Sequence, residues 1–585
     1  MVISMEFVDQ VFLTDVLVIG GGIAASAAAL EASDYGADVL VVTKDFAGYG
    51  NSRISGGAIA VSCCDPRDNP NMHFRDTVIG GEYLNDQRLV KHLVGEALDS
   101  VLWLERKGCI FDRVAGEPDK YLSAYTTPLG GHSYLRFINW SGARGLGLMQ
   151  TLREALLSST VRTEDSVMIT RLLTSNGAVV GATGVNIRTG DFYVFRSKST
   201  IMATGGIGEL FTPHTTNMKF MTGDGLAMAF RAGAELVDME MTQFMPYAIT
   251  RPPAWAGKMI GDPVIAGPYG KLLNREGERI MLKYDPVRKE ASTRATVTRA
   301  IAIEVKEGRG TRFGGCSLDL TENKKYPNGL QHLKRMSEVD PERLNTIKEA
   351  YGEAAAEFNE PWDVYPTQHY IMGGVRTNEW CETAVQALYA VGEAQGGIHG
   401  ANRLGTNSLL GALVFGRRAG WHATRKVSKA EYHAVDQRQV HAEHDRVCGI
   451  LTREAHGEAS FAKLRRSLQR AAWEHIGPIR NGNSLVRFIS EVENIKKLTR
   501  DATLSSDSTT YNLEWIETLE LYNMILIAEI IARSALYRTE SRGGHYREDY
   551  PNRNDAMWLK NIVARLEAGE ISLTTTPTPL SDIRP

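Results

Sequence analysis

From Asp15 to Gly20 the chain reads DVLVIG, a short apolar run with the length and branching of a buried strand. Gly20, Gly21 and Gly22 follow, then IAASAAALEASDYGADVLVVTK. This predicts a small-residue helix ending near Gly36 and a second strand from Ala37 to Val42. The spacing is GxGxxA, with Gly20, Gly22 and Ala25 in the three small positions. Glycine lets the chain turn sharply and brings backbone N–H groups against a pyrophosphate at a helix N-terminus. The third small residue allows the helix to pack closely on the strand. Thr43 and Lys44 stand where an acid often takes a ribose hydroxyl, so that part of the pattern is missing. The motif predicts a dinucleotide site and does not separate FAD from NAD.

The same texture returns downstream. Thr200 to Gly206 reads TIMATGG and is followed by Thr222-Gly223-Asp224-Gly225 and the helical LAMAFRAGAEL. Ala387 to Glu393 reads ALYAVGE and leads into AQGGIHGANRLGTNSLLGALVFGRRAG, again strand, acidic turn, glycine-rich loop and helix. Segments this far apart imply a discontinuous α/β cofactor domain over 10–238 and 367–430, with an α+β capping domain inserted at 239–366. A cleft between such domains is a usual place for a substrate. Residues 431–550 are charged and helical in period, an antiparallel helical domain. Residues 551–585 end in SLTTTPTPLSDIRP, which reads as an extended tail.

Bulk properties narrow the class. A chain of 585 residues is too long for one core. A net charge of −3 favours neither nucleic acid nor an anionic membrane surface. The six cysteines form no CxxC pair, which fits a reducing, cytoplasmic setting and offers no pattern for an iron–sulfur cluster. Cys63 and Cys64 are adjacent and read as inert thiols. The opening MVISMEFVDQVF lacks the basic start and long apolar stretch of a secretory signal. The apolar run Leu521 to Leu536 carries Glu529 and Arg533, a buried helix rather than a membrane insertion.

Nearly the whole chain, in order, resembles the flavoprotein subunit of the succinate dehydrogenase/fumarate reductase family, which includes L-aspartate oxidase and adenylylsulfate reductase. The resemblance is carried by GGGIAASAAA, SGGAIAV, ATGG, TGDGLAMAFRAGAELVDME, LLNREGERIM, YPTQHYIMGG, ALYAVGEAQGGIHGANRLGTNSLL, WEHIGPIRNG and RTESRGGHYREDYP. It implies a Rossmann-like FAD domain, an inserted cap and a C-terminal helical domain. It also implies that FAD is lined by Gly20, Gly22, Lys44, Ser55, Gly56, Gly57, Ala203, Gly205, Asp224, Glu393, Asn407, Ser408 and Leu409, and Ala25 of the GxGxxA motif is expected in the cofactor site with them. Glu393 would hold a ribose hydroxyl. The helix opening near Ser408 would aim its N-terminal dipole at the flavin pyrimidine.

By the same resemblance, His369 and Arg403 grip a substrate carboxylate and Arg294 delivers a proton. Arginine suits a carboxylate because its planar fork gives two charge-assisted hydrogen bonds. The departures are as informative. Met245, in Gln243-Phe244-Met245-Pro246-Tyr247-Ala248, replaces the family's histidine for a distal carboxylate. An acid–arginine relay is replaced by Pro263-Val264-Ile265-Ala266-Gly267-Pro268. A carboxylate placed against Met245 and Tyr247 would lose a charged partner, a loss of about 2–5 kcal/mol in a dry pocket. These positions predict an enoate other than fumarate as the acid. No histidine stands between Gly48 and Ser55, so the FAD is expected to be non-covalent. Three alternatives stay open: ordinary fumarate reductase or succinate dehydrogenase activity, oxidation at a heteroatom, or a flavin electron-transfer subunit without substrate chemistry. The C-terminal motifs resemble members that dock an iron–sulfur electron-transfer subunit, which is a possible partner.

Overall fold

The protein is described here by a computed structural model covering residues 6–125, 127–453 and 460–585. The first strand, Gln10–Ile19, pairs in parallel with Val39–Val42 on one side and Phe192–Met202 on the other. Arg162–Glu164 and Leu388–Ala390 add further parallel strands, and Val167–Ser175 with Ala178–Asn186 continues the sheet antiparallel. The carboxyl ends of the parallel strands therefore converge at Gly20, Thr43, Ala203 and Val391. A parallel sheet binds its ligand beyond such ends.

Side chains of the first strand alternate between two cores, as a strand requires. Val16 and Val18 meet the alanine-rich helix Ile23–Asp34 and the long helix Asn407–Val427. Leu17 and Ile19 face the antiparallel strands and the helical region. The two helices cross so tightly that a methyl group on Gly416 or Gly420 would lie 2.6 or 2.3 Å from the Ala24 or Ala28 carbonyl. The run of alanines in the first helix is thus a packing requirement.

The inserted region contains a five-stranded antiparallel sheet in the order Met259–Gly261, Thr242–Ile249, Trp362–Ile371, Cys316–Asp319, Lys271–Leu273. The helix Arg294–Lys306 packs on it. The strand Trp362–Ile371 runs through the boundary expected at 366/367 and carries His369 from the cap into the body.

Four helices follow, Gln437–Cys448, Phe461–Ile476, Gly482–Leu498 and Leu513–Tyr537. Glu529 in the last is buried and pairs with Lys496 and Arg533. Among the described residues no helix is long and apolar enough to cross a membrane.

The C-terminal segment differs from the expected tail. Lys560–Glu567 and Glu570–Pro577 form a hairpin, and the first of them pairs with Leu236–Val237. Ala568 and Gly569 both take positive φ, the geometry of a two-residue hairpin turn. The threonines that made the segment look like a linker are ladder residues, and Gln87 bonds the backbone of Asp582 and Ile583.

Candidate functional site

A cavity of about 1240 Å3 opens where the parallel strands end. It exceeds the roughly 300–1000 Å3 of small-ligand pockets, leaving room for a dinucleotide and a substrate together. Its lining includes Gly20–Gly22, Lys44 and Asp224, then Ser55–Gly57, Ala203–Gly205 and Glu393, and also Arg294, His369, Arg403, Ser408 and Leu409.

The backbone explains the glycine-lined part. Gly20 has φ +133°, and a Cβ there would sit 2.2 Å from the Ala203 carbonyl oxygen, so no other residue fits. The helix Ile23–Asp34 begins at Gly22 and the helix Asn407–Val427 at Thr406, neither with a side-chain cap, and both N-termini face the cavity. Uncapped N–H groups and two positive helix ends suit a pyrophosphate and an electron-rich ring. The residues therefore fit a bound FAD.

Lys44 and Asp224 line the cavity but are already partnered. The Lys44 ammonium donates to Asp224 (2.7 Å), Glu520 (2.7 Å) and Thr222 (3.0 Å). Burial alone would lower its pKa, yet the two carboxylates raise it above the ordinary value. Glu520 belongs to the helix Leu513–Tyr537, so the helical region holds the cofactor wall in place.

Glu393 is half-buried at the cavity wall, and one carboxylate oxygen accepts the Ile371 N–H at 3.0 Å. Burial pushes its carboxyl up to about 7. A group with that much unmet acceptor capacity suits a ribose hydroxyl. Two expected cofactor residues do not reach the cavity. Ala25 is wholly enclosed in the helix packing. The Asn407 side chain turns away, bonding His73 Nε2 (2.9 Å) and Thr77 (3.0 Å).

Arg403 is 2% exposed. Its Nη1 donates to Ser408 Oγ at 3.1 Å and, weakly, to the Leu404 carbonyl at 3.4 Å. Its Nε and Nη2 are buried with no hydrogen-bond partner. Burial, then the Arg294 charge, pulls the guanidinium below its ordinary value. An orphaned charged donor costs about 1–3 kcal/mol or more, so two on one fork mark a place for an anion. Tyr370 lies under the guanidinium at 4.8 Å.

His369 bonds Thr216 Oγ1 through Nδ1 at 2.8 Å. Burial, then Arg403 and Arg294, holds its imidazole well below the ordinary value, so it is neutral near pH 7. In the tautomer where Thr216 Oγ1 donates to Nδ1, the Nε2 N–H is left to hydrogen-bond a ligand oxygen.

Arg294 follows the cap residue Thr293 at the start of its helix. Asp262 grips it bidentately, at 2.5 and 2.9 Å, and its Nη1 donates to Gln243 Oε1 at 2.9 Å. Gln243 Nε2 in turn donates to the Arg403 carbonyl oxygen at 2.8 Å. One amide thus ties the cap arginine to the glycine-loop arginine. Asp262 and Gln243 were not expected as site residues. Asp262 supplies a carboxylate beside the Pro263–Pro268 stretch where the family's acid is absent.

Met245 and Tyr247, expected in the substrate pocket, do not line the cavity. Both are fully buried, Tyr247 in the cap core with Ile249, Ile260 and Met281. Two bulges interrupt the pairing of Thr242–Ile249 with Trp362–Ile371: at the first the extra residue is His369, opposite the Gln243–Phe244 step, and at the second it lies on Thr242–Ile249 between Met245 and Ala248, which breaks the two-residue alternation around Tyr247. The wall facing the site is built instead from Trp255, Met259, Ile260, Ile265 and Tyr125.

The loop that carries Arg403 is buttressed by RTESRGGHYREDYP. Gly544 N–H donates to the Ala401 carbonyl at 2.8 Å, and a Cβ on Gly543 would lie 2.2 Å from that oxygen. Arg538, Arg542 and Arg547 of the same segment are buried and pair with Glu240, Glu540 and Asp549. These arginines are internal struts, not a docking face.

Comparison with known proteins decides the lineage. A family profile described as FAD binding domain matches residues 15–409, and one described as fumarate reductase flavoprotein C-term matches 465–585. The chain belongs to the fumarate reductase/succinate dehydrogenase flavoprotein family. It is 38% identical over 560 residues to a fumarate reductase (CoM/CoB) subunit of Methanothermobacter marburgensis, covering 95% of this chain and 97% of that protein. It is 32% identical to the succinate dehydrogenase flavoprotein subunit of Rickettsia conorii, covering 97% and 96%. The structure superposes on an E. coli quinol fumarate reductase FrdA mutant with a TM-score of 0.89 at 28% identity, over 98% of each chain. It is an FAD-dependent oxidoreductase of the type acting on CH–CH groups.

Proposed function

We propose that this flavoprotein transfers a hydride between FAD and the C=C or CH–CH bond of a small organic acid, and that the acid is an enoate other than fumarate. The observation that carries the reading is the buried Arg403 fork with two unpartnered donors beside the cavity. A carboxylate placed there takes both donors side by side, and His369 Nε2 is available to its second oxygen. Bound in the trough, FAD supplies or accepts the hydride at N5. Arg294 gives a proton to the carbon that does not receive the hydride, and Asp262 keeps its guanidinium oriented and offsets its charge. The carboxylate on Arg403 draws electron density from the double bond, which prepares the other carbon for attack.

The preference for another enoate rests on the charge around Arg403. Arg294 is neutralised by Asp262, His369 is uncharged, and the facing wall of Trp255, Met259, Ile260, Ile265 and Tyr125 is largely apolar. Among the described residues a second carboxylate would find no second open fork there: Arg144 and Arg343 of the lining are held by Asp340, and Lys258 lies over the Trp255 ring. Fumarate or succinate is the second reading, supported by the full-length relative whose name is that of a fumarate reductase (CoM/CoB). The test is oxidation of the reduced flavin by fumarate, cinnamate-like and methylated enoates. The reading expects a monocarboxylic enoate to show the highest kcat/KM; fumarate ahead of every other acid would overturn it.

The FAD is held without a covalent bond, because the lining segment from Tyr49 to Ala58 holds no histidine to tether it. Acid precipitation should release all of it. A separate iron–sulfur subunit is the electron partner this reading favours: the six cysteines offer no iron–sulfur spacing, no metal-holding cluster occurs among the described residues, and relatives are named as subunits.

A further inference from the structure

Behind the cofactor trough lies a second cavity of about 470 Å3, bounded by the strand Val167–Ser175 and by the helices Asp224–Arg231, Gln437–Cys448 and Leu513–Tyr537. Four guanidinium groups line it, from Arg171, Arg231, Arg446 and Arg453, against one carboxylate, Glu443. Glu443 is 2% exposed and takes the fork of Arg446 at 2.7 and 2.9 Å, with Arg171 4.0 Å away. Arg453 donates to the Thr499 and Ala502 carbonyls, and Arg231 to the Asn523 amide oxygen. Arg171 donates no hydrogen bond among the described residues. Among the described residues the lining keeps a formal excess of three positive charges. Burial, with Arg446 repelling it, pushes Arg231 down to about 10.

We propose that this pocket binds a small phosphate-bearing anion. Guanidinium groups approach from a strand, two helices and the segment after one of them. Such convergence suits a tetrahedral, multiply charged phosphoryl group better than a planar, singly charged carboxylate. The volume is that of a small-ligand pocket, and the net charge of −3 gives the chain no attraction for a long polyanion. It is not the seat of the FAD pyrophosphate. Met228 forms a wall common to both cavities, and Asn523 bonds Arg231 on one side and Asp224 on the other. The inference is independent of which acid the catalytic site takes.

The test is calorimetric titration of the FAD-saturated protein with inorganic phosphate, pyrophosphate and ADP, and with citrate at matched ionic strength. The proposal expects a phosphate compound to bind at or below roughly millimolar concentration. It also expects an Arg171→Gln/Arg446→Gln double variant that keeps its FAD and its viologen-linked activity to bind about tenfold or more weakly. Tighter binding of ADP than of phosphate would identify a nucleotide; equal binding, a free phosphate or simple ester. Should the double variant fail to hold FAD, the single Arg171→Gln variant is read instead, with a several-fold weakening expected. No binding by any phosphate compound, unchanged binding in the variants, or citrate binding as tightly as pyrophosphate would overturn the proposal.

Discussion

Replacing Arg403 by methionine separates an anion clamp from a structural arginine. Methionine keeps the length and much of the volume of the side chain. In the ligand-free protein the substitution removes two unpartnered donors, each costing about 1–3 kcal/mol. It also removes the bonds to Ser408 and Leu404 and the contact with Tyr370, each contributing about 1 kcal/mol. These terms nearly cancel, so the FAD-loaded variant should unfold at the wild-type temperature or slightly above it. The chemistry should suffer instead. Two charge-assisted bonds to a carboxylate contribute about 1.5–3 kcal/mol each, so kcat/KM should fall by about a hundred- to ten-thousand-fold. Arg403→Lys, which keeps charge but loses the fork, should fall between. Oxidation of a reduced viologen coupled to enoate reduction reads the rate, and thermal unfolding of the flavin-loaded protein reads stability. Turnover within tenfold of wild type, or a marked loss of thermal stability with FAD shed, would refute the reasoning.

Asp262→Asn leaves Arg294 a single neutral acceptor in place of a bidentate carboxylate; a loss of about 2–3 kcal/mol predicts a fall in kcat of about 30- to 160-fold, with Asp262→Glu recovering part of it. A kcat within threefold of wild type would remove Asp262 from the proton-donor assembly. Ribose hydroxyls bond the ionised form of Glu393, whose carboxyl is raised to about 7, so FAD binding should release a proton. Affinity for FAD should therefore rise with pH up to about 7 and level off above it, and Glu393→Gln should flatten the profile in a fluorescence titration. His369 is held neutral by burial and by Arg403 and Arg294, so kcat/KM should show no inflection near its ordinary pKa of about 6.5. A step there would mean that the imidazole titrates in the free enzyme.

What could be read from the sequence was what depends on near neighbours in the chain. Gly20 and Gly22, the Ile23–Asp34 helix and the glycine-rich approach to Ser408 are local patterns, and the structure gathers them at one edge of the sheet. Asp262 and Gln243 escaped because their partners lie far along the chain, Arg294 in one case and both Arg294 and Arg403 in the other. Met245 and Tyr247 were placed by family position; both are buried away from the cavity, and the bulge between Met245 and Ala248, which no spacing rule predicts, accompanies the seating of Tyr247 in the cap core. Asn407 sits where expected, but its side chain serves His73 and Thr77. The final hairpin was hidden by its threonines, which fit a linker and a strand equally well until Leu236–Val237 offers an edge.

The most direct measurement is a crystal structure of the FAD-loaded protein with a non-reacting enoate analogue. One carboxylate should be bound to Arg403 Nε and Nη2, with His369 Nε2 at its second oxygen and the double bond between the flavin N5 and Arg294. A carboxylate bound elsewhere, or those two donors taken up by the cofactor itself, would contradict this arrangement.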